Sequence, residues 1–239
     1  SSVHVNSTVP FGVTMNRIMI QNNEVSQSGL VVNDQPVHLK NVTITGKSMM
    51  RSLSGNAAEG SVFENLRILD YSAFGLDLPR GTYKNCTFQS NVANAAGAVI
   101  NRDGTYVFEG CSFESARGLT VANANADVSV TDSLFDISGN AEAIYVSKAK
   151  SIKLEKNVIQ MKGLSALWRS AIKINDYGAG STATDVPAAA IVGNTVSTNI
   201  AAYGISTVDA GVNAPPYIVK NNLLHKAKLQ LRETDVSEG

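Results

Sequence analysis

"GTYKNCTF" (81–88) and "YVFEGCSF" (106–113) are two copies of one pattern, and together they contain both cysteines of the chain. In each copy, β-forming residues lead to Asn or Gly, and Cys, a polar residue and Phe follow. Asn and Gly adopt the left-handed backbone conformation at lower cost than other residues. Each copy therefore predicts two short strands that are joined by a sharp corner.

The pattern occurs nine times along the chain, which indicates a solenoid of equivalent coils. Its fifth place holds Asn, Asp or Gly in every copy except one, where Lys156 precedes Asn157, and its last place is always apolar. The other seven copies are "IMIQNNEV" (18–25), with Asn22 as its corner, "VHLKNVTI" (37–44), "SVFENLRI" (61–68), "VSVTDSLF" (128–135), "IKLEKNVI" (152–159), "AAIVGNTV" (189–196) and "YIVKNNLL" (217–224).

A second phrase, typically a small residue followed by alternating apolar and polar residues, lies between successive copies. "GLTVAN" (118–123), "AIYVSK" (143–148) and "AIKIND" (171–176) are examples. This alternation is typical of a half-buried strand and not of a helix. One coil therefore contains three short strands. The predicted outward positions of the second phrase are Val31, Asp77, Val99, Thr120, Tyr145, Lys173 and Ser206.

The composition excludes several functional classes. The chain has 239 residues, with 20 basic and 20 acidic side chains, and only 17% of its residues are charged. A nucleic-acid surface or a polybasic membrane patch requires an excess of Lys and Arg, so neither partner is expected. No apolar run is long enough for a membrane span. His4, His38 and His225 lack the spacing of metal ligands, so we predict no metal and no cofactor.

Three short strands per coil, bent at an Asn or Gly corner, resemble the right-handed parallel β-helices of the pectate-lyase-like superfamily. The resemblance covers roughly residues 16–226 and implies an all-β solenoid of about nine coils. Residues 1–15 are then an N-terminal lead-in or cap, and residues 227–239 a polar tail or cap. A leucine-rich horseshoe is the alternative, but it requires a fixed period, a Leu-dominated consensus and a helical stretch in each unit.

Stacked coils place equivalent residues about 4.8 Å apart along the axis. Asn41, Asn65 and Asn85 should then line up and bond to one another. Cys86 and Cys111 should share one column on adjacent coils. Parallel stacking points both side chains the same way, which suits a disulfide badly, so we predict buried, reduced thiols.

In enzymes that resemble this fold, a glycan lies along one parallel sheet across several coils. The strand of the second phrase is the candidate surface, and Tyr145, Lys173, Asp176 and Asp209 follow one another there on three successive coils. Asp176 and Asp209 share a column, so we predict that they act as acid and as nucleophile or base, with Lys173 beside them. The connection 161–171 adds Trp168 and Arg169, which suit a sugar ring and its carboxylate. The alternative is that the charges are only solvated and that Trp168 anchors a loop.

A second cluster on adjacent coils contains Asp77, Arg80, Arg102 and Asp103. Two arginines beside an acid could neutralise a uronate carboxylate, as a lyase or an epimerase requires. Surface ion pairing explains the same residues.

The resemblance implies a protein that binds and processes a polysaccharide. Low charge, free thiols and a first residue other than Met favour a tailspike-like depolymerase, a hydrolase or a lyase. Proteins of that kind are extracellular or on the virion surface and are usually trimers, so a homotrimer is the expected assembly. A non-catalytic glycan-binding or structural fibre segment or adhesin is one alternative. A secreted bacterial polysaccharide lyase or uronan epimerase is the other.

Overall fold

A computed structural model describes residues 3–6, 13–21, 28–33, 35–46, 51–71, 76–92, 95, 97–174, 188–207 and 216–238. All regular elements in these ranges are short β-strands. The strands form three long parallel sheets and one short N-terminal sheet, so the predicted all-β class is confirmed.

Sheet I contains the strands that lead into the corners. They are β2 (Val13–Asn16), β5 (Val37–Lys40), β8 (Val62–Glu64), β11 (Gly81–Lys84), β14 (Gly104–Glu109), β17 (Ala126–Thr131), β20 (Ser151–Glu155), β23 (Ala188–Val192), β26 (Ile218–Lys220) and β29 (Val236–Glu238). Sheet II contains the strands that leave the corners. They are β3 (Met19–Gln21), β6 (Thr43–Thr45), β9 (Arg67–Leu69), β12 (Thr87–Gln89), β15 (Ser112–Ser115), β18 (Leu134–Ile137), β21 (Val158–Met161), β24 (Thr195–Thr198) and β27 (Leu223–His225).

Sheet III contains the strands of the second phrase. They are β10 (Leu76–Asp77), β13 (Ala98–Ile100), β16 (Leu119–Ala122), β19 (Ile144–Lys148), β22 (Ser170–Ile174), β25 (Tyr203–Ser206) and β28 (Lys228–Gln230). The short N-terminal sheet consists of β1 (Val3–Asn6), β4 (Ser28–Asn33) and β7 (Arg51–Asn56). The solenoid has about seven turns with a strand in sheet III, slightly fewer than the nine predicted, because the earlier coils use the separate N-terminal sheet instead.

The corners lie where the repeated pattern predicts them in eight of the nine copies. Asn41, Asn65, Asn85, Asp132 and Asn221 have φ between 49° and 54°, in the left-handed region. Gly110, Lys156 and Gly193 share this conformation, with φ of 62°, 54° and 68°. Lys156 shows that the corner does not strictly require Asn, Asp or Gly once the neighbouring coils hold the backbone.

The first copy was assigned to the wrong register. Its corner is Arg17, with φ of 57°, because Met19–Gln21 pairs with Thr43–Thr45 on the far side of the next corner. The Arg17 amide donates to the Lys40 carbonyl at 3.1 Å, which anchors this corner to the stack. Arginine has no preference for the left-handed conformation, and for that reason the sequence pattern predicts the corner at the nearby Asn22 instead of at Arg17. Asn22 itself lies outside the described residues.

The core consists of columns of equivalent side chains. Tyr83 stacks on Phe63 and on Phe108, with ring centroids 4.4 and 4.8 Å away. A second aromatic column places Phe113 between Phe88 and Phe135, at 4.8 and 4.6 Å. Like residues stack on like because every strand pairs in parallel with its equivalent on the next coil. Offset aromatic stacks of this kind add to the free energy gained from burial.

Cys86 and Cys111 are buried and free, as predicted. The Cys86 Sγ lies 3.1 Å from the Phe63 carbonyl, and the Cys111 Sγ lies 3.4 Å from the Tyr83 carbonyl, so the two thiols make equivalent contacts on adjacent coils. The neighbouring Cys111 thiol, together with burial, raises the pKa of Cys86. A protonated, buried thiol is a packing group and not a reactive one.

Two asparagine ladders run along the axis, and the sequence predicts only the outer one. On the exposed side, Asn65 Nδ2 donates to Asn41 Oδ1 at 3.1 Å, and Asn41 Nδ2 donates to Asn16 Oδ1 at 3.2 Å, one residue before the Arg17 corner. Asn85 has the same corner conformation, but the predicted bond between Asn85 and Asn65 is absent among the side-chain hydrogen bonds of the described residues. One place after the corner, a buried ladder links Asn157 to Asn194 and Asn194 to Asn222, each at 2.9 Å. Its amides also donate to strand carbonyls such as Val130 O, so these buried polar groups are satisfied.

Residues 227–239, predicted as a tail or cap, contribute β28 to sheet III and β29 to sheet I. Asp235 organises this segment. It accepts hydrogen bonds from Thr207 Oγ1, from the Tyr217 amide at 3.1 Å and from Arg232 Nη2 at 2.7 Å. Burial alone would raise the pKa of Asp235, but these donors outweigh it and hold the pKa below its usual value.

Candidate functional site

The outer face of sheet III carries a cleft of about 310 Å³. Its lining residues come from sheet III and from the segments that precede its strands. They are Arg117, Thr120, Ala141, Glu142, Tyr145, Trp168, Arg169 and Lys173. The cleft includes four of the residues that the sequence analysis selected for this face, namely Tyr145, Trp168, Arg169 and Lys173.

Three lining residues form one outward row across adjacent strands. Thr120 of β16 pairs with Tyr145 of β19, and Tyr145 pairs with Lys173 of β22. Neighbouring parallel strands lie about 4.8 Å apart, so the row covers roughly two strand spacings. An extended chain of sugar rings that crossed the strands could contact all three side chains.

A turn before β22 carries an exposed aromatic ring. Trp168 is 64% exposed, and the Arg169 guanidinium carbon lies 4.4 Å from its ring centroid. The backbone is held on both sides, because the Arg169 amide donates to Ala166 O at 3.1 Å and the Tyr203 amide donates to Arg169 O at 3.0 Å. The ring is therefore attached to the sheet through Arg169 and does not fill the core.

Glu142 is the functional candidate that sequence reasoning missed. Its Oε1 accepts a hydrogen bond from Arg169 Nη1 at 2.9 Å, and its side chain is only 15% exposed. The only signal in the sequence is an isolated acid between Ala141 and Ala143, immediately before β19. Such an acid is indistinguishable from a solvated charge until the neighbouring coil places Arg169 beside it.

The cleft is cationic over its described lining residues. Arg117, Arg169 and Lys173 contribute three positive charges, and Glu142 contributes one negative charge. The whole chain is neutral, so this is a local concentration of positive charge. Together with the exposed ring, it offers a flat apolar surface and donors for hydroxyl or carboxylate oxygens.

Asp176 and Asp209 lie outside the described residues, so the predicted carboxylate pair stays a prediction. Lys173 and Ser206 pair in register, and each aspartate follows its member of that pair by three residues. The positions of the two aspartates in the repeat are therefore equivalent.

The second predicted cluster is an ion pair with a structural arginine beside it. Asp77, which the sequence analysis predicts to face outward, is instead buried, with a side chain 5% exposed, and its Oδ2 lies 3.4 Å from Arg102 Nη2. Ser206, also predicted to face outward, is buried as well. Arg80 donates from Nε to Ala57 O at 2.7 Å and from Nη2 to Asn56 Oδ1 at 2.8 Å, which joins it to the preceding coil. These contacts match the alternative interpretation of this cluster, in which its charged residues pair within the protein and do not bind a uronate. Asp103 is exposed beside them.

Within the described ranges, no group of three or more His, Cys, Asp and Glu side chains could hold a metal ion. The same part of the chain contains no helix with the length and apolar character that a bilayer span requires.

One family model matches the chain. It is described as the right handed beta helix region, and it covers residues 79–231, which include every lining residue of the cleft. No curated protein and no solved structure matches the chain.

Proposed function

Because the chain belongs to the right-handed β-helix family, we propose that it is a polysaccharide-binding and -degrading protein that holds an extended glycan along sheet III. One observation supports this most directly. A cleft on the outer face of a parallel sheet combines an exposed tryptophan with three cationic side chains. Aromatic faces pack against sugar rings, and guanidinium groups bind carboxylate and hydroxyl oxygens.

The proposed chemistry is cleavage of the glycan, by hydrolysis or by elimination. Asp176 and Asp209 are the proposed acid and nucleophile or base, and Lys173 is proposed to act beside them. Glycoside hydrolysis requires two carboxyl groups about 5–9 Å apart on either side of the scissile bond. Equivalent positions on adjacent coils meet the short end of that range. The polysaccharide partner, an extracellular or virion-surface location, a tailspike-like role and a homotrimeric assembly belong to the same proposal.

A non-catalytic binding module is the second candidate. Glu142 is the only carboxylate among the described lining residues, and its Oε1 already accepts a hydrogen bond from Arg169 at 2.9 Å. This favours the binding module, because a carboxylate held by an arginine is not available as an acid or a base. On that reading the cleft is a glycan-binding site of a fibre segment or an adhesin. A secreted polysaccharide lyase or uronan epimerase is the third candidate, and the positive charge of the cleft favours it because removal of the C5 proton requires a neutralised uronate carboxylate.

The test is an incubation of the purified chain with a panel that includes polygalacturonate, alginate, hyaluronan and neutral dextran. Retention on an immobilised polysaccharide measures binding. Release of reducing ends measures cleavage, and ultraviolet absorbance of unsaturated uronates separates elimination from hydrolysis. Retention without products supports the binding module, and an absence of both retention and products across a wider panel contradicts the proposal.

A further inference from the structure

We infer that Glu142 is a positioning residue of the glycan site: through Arg169, it holds the Trp168 ring with one face covered and the other face open to a sugar. The role in glycan binding depends on the proposed function, whereas the positioning itself depends only on contacts within the chain. Neither the repeat pattern nor the family match assigns a role to Glu142.

The first step is the anchoring of Glu142 by the coils on both sides of it. The Gly118 amide donates to the Glu142 carbonyl at 3.3 Å. The adjacent Ala143 amide donates to Ala171 O at 2.9 Å on the following coil. The carboxylate therefore projects from a backbone that two neighbouring strands hold. Because its side chain is only 15% exposed, few rotamers are open to it.

The second step is the restraint of Arg169. An arginine side chain on a turn has several rotatable bonds, and ordering it is entropically costly. The 2.9 Å hydrogen bond from Arg169 Nη1 to Glu142 Oε1 joins two opposite charges in a partly buried place, where such bonds are stronger than neutral ones. The guanidinium plane is thereby directed by a residue of the preceding coil.

The third step is the covering of one ring face. The Arg169 guanidinium lies over the Trp168 ring at 4.4 Å, which is within the range of a cation–π contact. Trp168 as a residue is still 64% exposed, so much of its surface faces solvent. A ring with one face covered binds a sugar on the opposite face only, which sets the side from which a glycan approaches the row of Thr120, Tyr145 and Lys173.

Trp168 is the only tryptophan of the chain, so its fluorescence tests the inference without any ligand. Acrylamide, which is neutral, quenches an indole in proportion to its accessible surface. In Glu142→Gln we expect the acrylamide quenching constant to rise by up to about two-fold, because release of Arg169 opens the second ring face. The fluorescence anisotropy of Trp168 should fall in the same variant, because the ring gains freedom.

Two further variants make the test specific. Glu109→Gln removes a comparable charge from a pair on sheet I, where Glu109 lies 3.5 Å from Lys84, and should leave the quenching constant unchanged. Arg169→Ala should raise the constant as much as Glu142→Gln does. The double variant should add nothing further, because both substitutions remove the same restraint. A circular dichroism melt of each variant identifies any that fails to fold.

A quenching constant for Glu142→Gln equal to that of the wild type, with the constant for Arg169→Ala raised, overturns the inference. Equal constants for all variants overturn it as well, because the contact with the ring would then be absent. The proposed function fails separately, if the wild-type chain retains no polysaccharide of the panel. Where the wild type does bind one, Glu142→Gln should weaken that binding about five-fold, which corresponds to roughly 1 kcal/mol.

Discussion

Two regions of the molecule place an arginine between a carboxylate and an aromatic ring. In the cleft, Arg169 bonds to Glu142 at 2.9 Å and lies 4.4 Å from the Trp168 ring. At the C-terminal end, Arg232 bonds to Asp235 at 2.7 Å and lies 4.4 Å from the Tyr217 ring. The contacts are nearly the same, but Trp168 is exposed whereas Tyr217 and the Asp235 carboxylate are fully buried.

The difference shows how burial separates a structural role from a binding role. Asp235 accepts four hydrogen bonds inside the protein, from Thr207, from the Tyr217 amide and from both the amide and the guanidinium of Arg232, and these bonds hold the last strands on the solenoid. Around Trp168, Arg169 makes the same two kinds of contact, but the aromatic ring is exposed, and part of its surface remains available to a ligand. If burial separates the two roles, substitutions near Trp168 should change glycan binding or cleavage, whereas substitutions around Asp235 should change stability.

The largest effect is expected at the proposed catalytic acids. Asp176→Asn or Asp209→Asn should lower the rate of product release about 1,000-fold, because general acid–base and nucleophilic steps depend on these carboxyl groups. Retention on the polysaccharide should change little. Measurement of reducing ends or unsaturated products checks this. Asp235→Asn is the control at the C-terminal end, and its rate of product release is divided by the fraction of molecules that are folded. Unchanged rates in both aspartate variants would remove Asp176 and Asp209 from the site.

The buried cluster of Tyr217, Arg232 and Asp235 should contribute to the stability of the folded chain. Asp235→Ala should lower the free energy of unfolding by about 3 kcal/mol, because it leaves Arg232 partly buried without its carboxylate. Chemical denaturation followed by circular dichroism measures the change. Glu142→Ala is the matched variant in the cleft and should cost less, about 1.5 kcal/mol, because the Arg169 side chain that it leaves behind is 29% exposed and can be solvated. An equal loss in both variants would mean that the two groups do not differ in role.

The exposed ring should matter for binding alone. Trp168→Ala should weaken polysaccharide binding about ten-fold, because stacking of one ring contributes roughly 1–1.5 kcal/mol. The free energy of unfolding should stay within about 0.5 kcal/mol of the wild-type value, as for other surface substitutions. Affinity electrophoresis and a melting curve measure the two quantities. A large loss of stability would instead favour the alternative in which Trp168 anchors a loop.

The smallest effect is expected in the dependence of stability on pH, through Asp235. The pKa of Asp235 is lower in the folded chain than in the unfolded chain, so the unfolded state binds the proton more readily. The resulting stabilisation is fully present above the unfolded pKa of about 3.9 and is lost as the pH falls through the folded pKa. Denaturation midpoints measured from pH 6 downwards should fall more steeply for the wild type than for Asp235→Asn. Parallel pH profiles would contradict this assignment.

The fold was largely predictable from the sequence because each coil repeats the same local requirement. Asn41, Asn65 and Asn85 have the left-handed φ that their residue type predicts. Arg17 was missed because its conformation is imposed by hydrogen bonds to the next coil and not by its own preference. The buried ladder of Asn157, Asn194 and Asn222 was visible as a repeated Asn after the corner. The inward direction of these side chains follows only from the strand geometry.

The candidate site was predictable in part. Tyr145 and Lys173 follow from the strand register, because equal places in the repeat become neighbours in sheet III. Trp168 and Arg169 lie in a connection that has no repeat, and the cleft brings them beside that row. Glu142 could not be selected because its partner is 27 residues away, in a segment whose path the repeat does not define. The same limit applies to Asp77, whose burial beside Arg102 no charge pattern reveals.

Three properties can be read from the sequence alone: the chain coils on itself, equivalent residues stack in columns, and the strands of sheet III carry Thr120, Tyr145 and Lys173 in one row. These properties follow from backbone preferences and side-chain alternation, which act over a few residues. The pairing of each arginine with its carboxylate, the exposure of the Trp168 ring and the burial of the Tyr217 ring become evident only in the folded solenoid. Those outcomes depend on burial and on distances between coils, and both are set only when the whole solenoid is assembled.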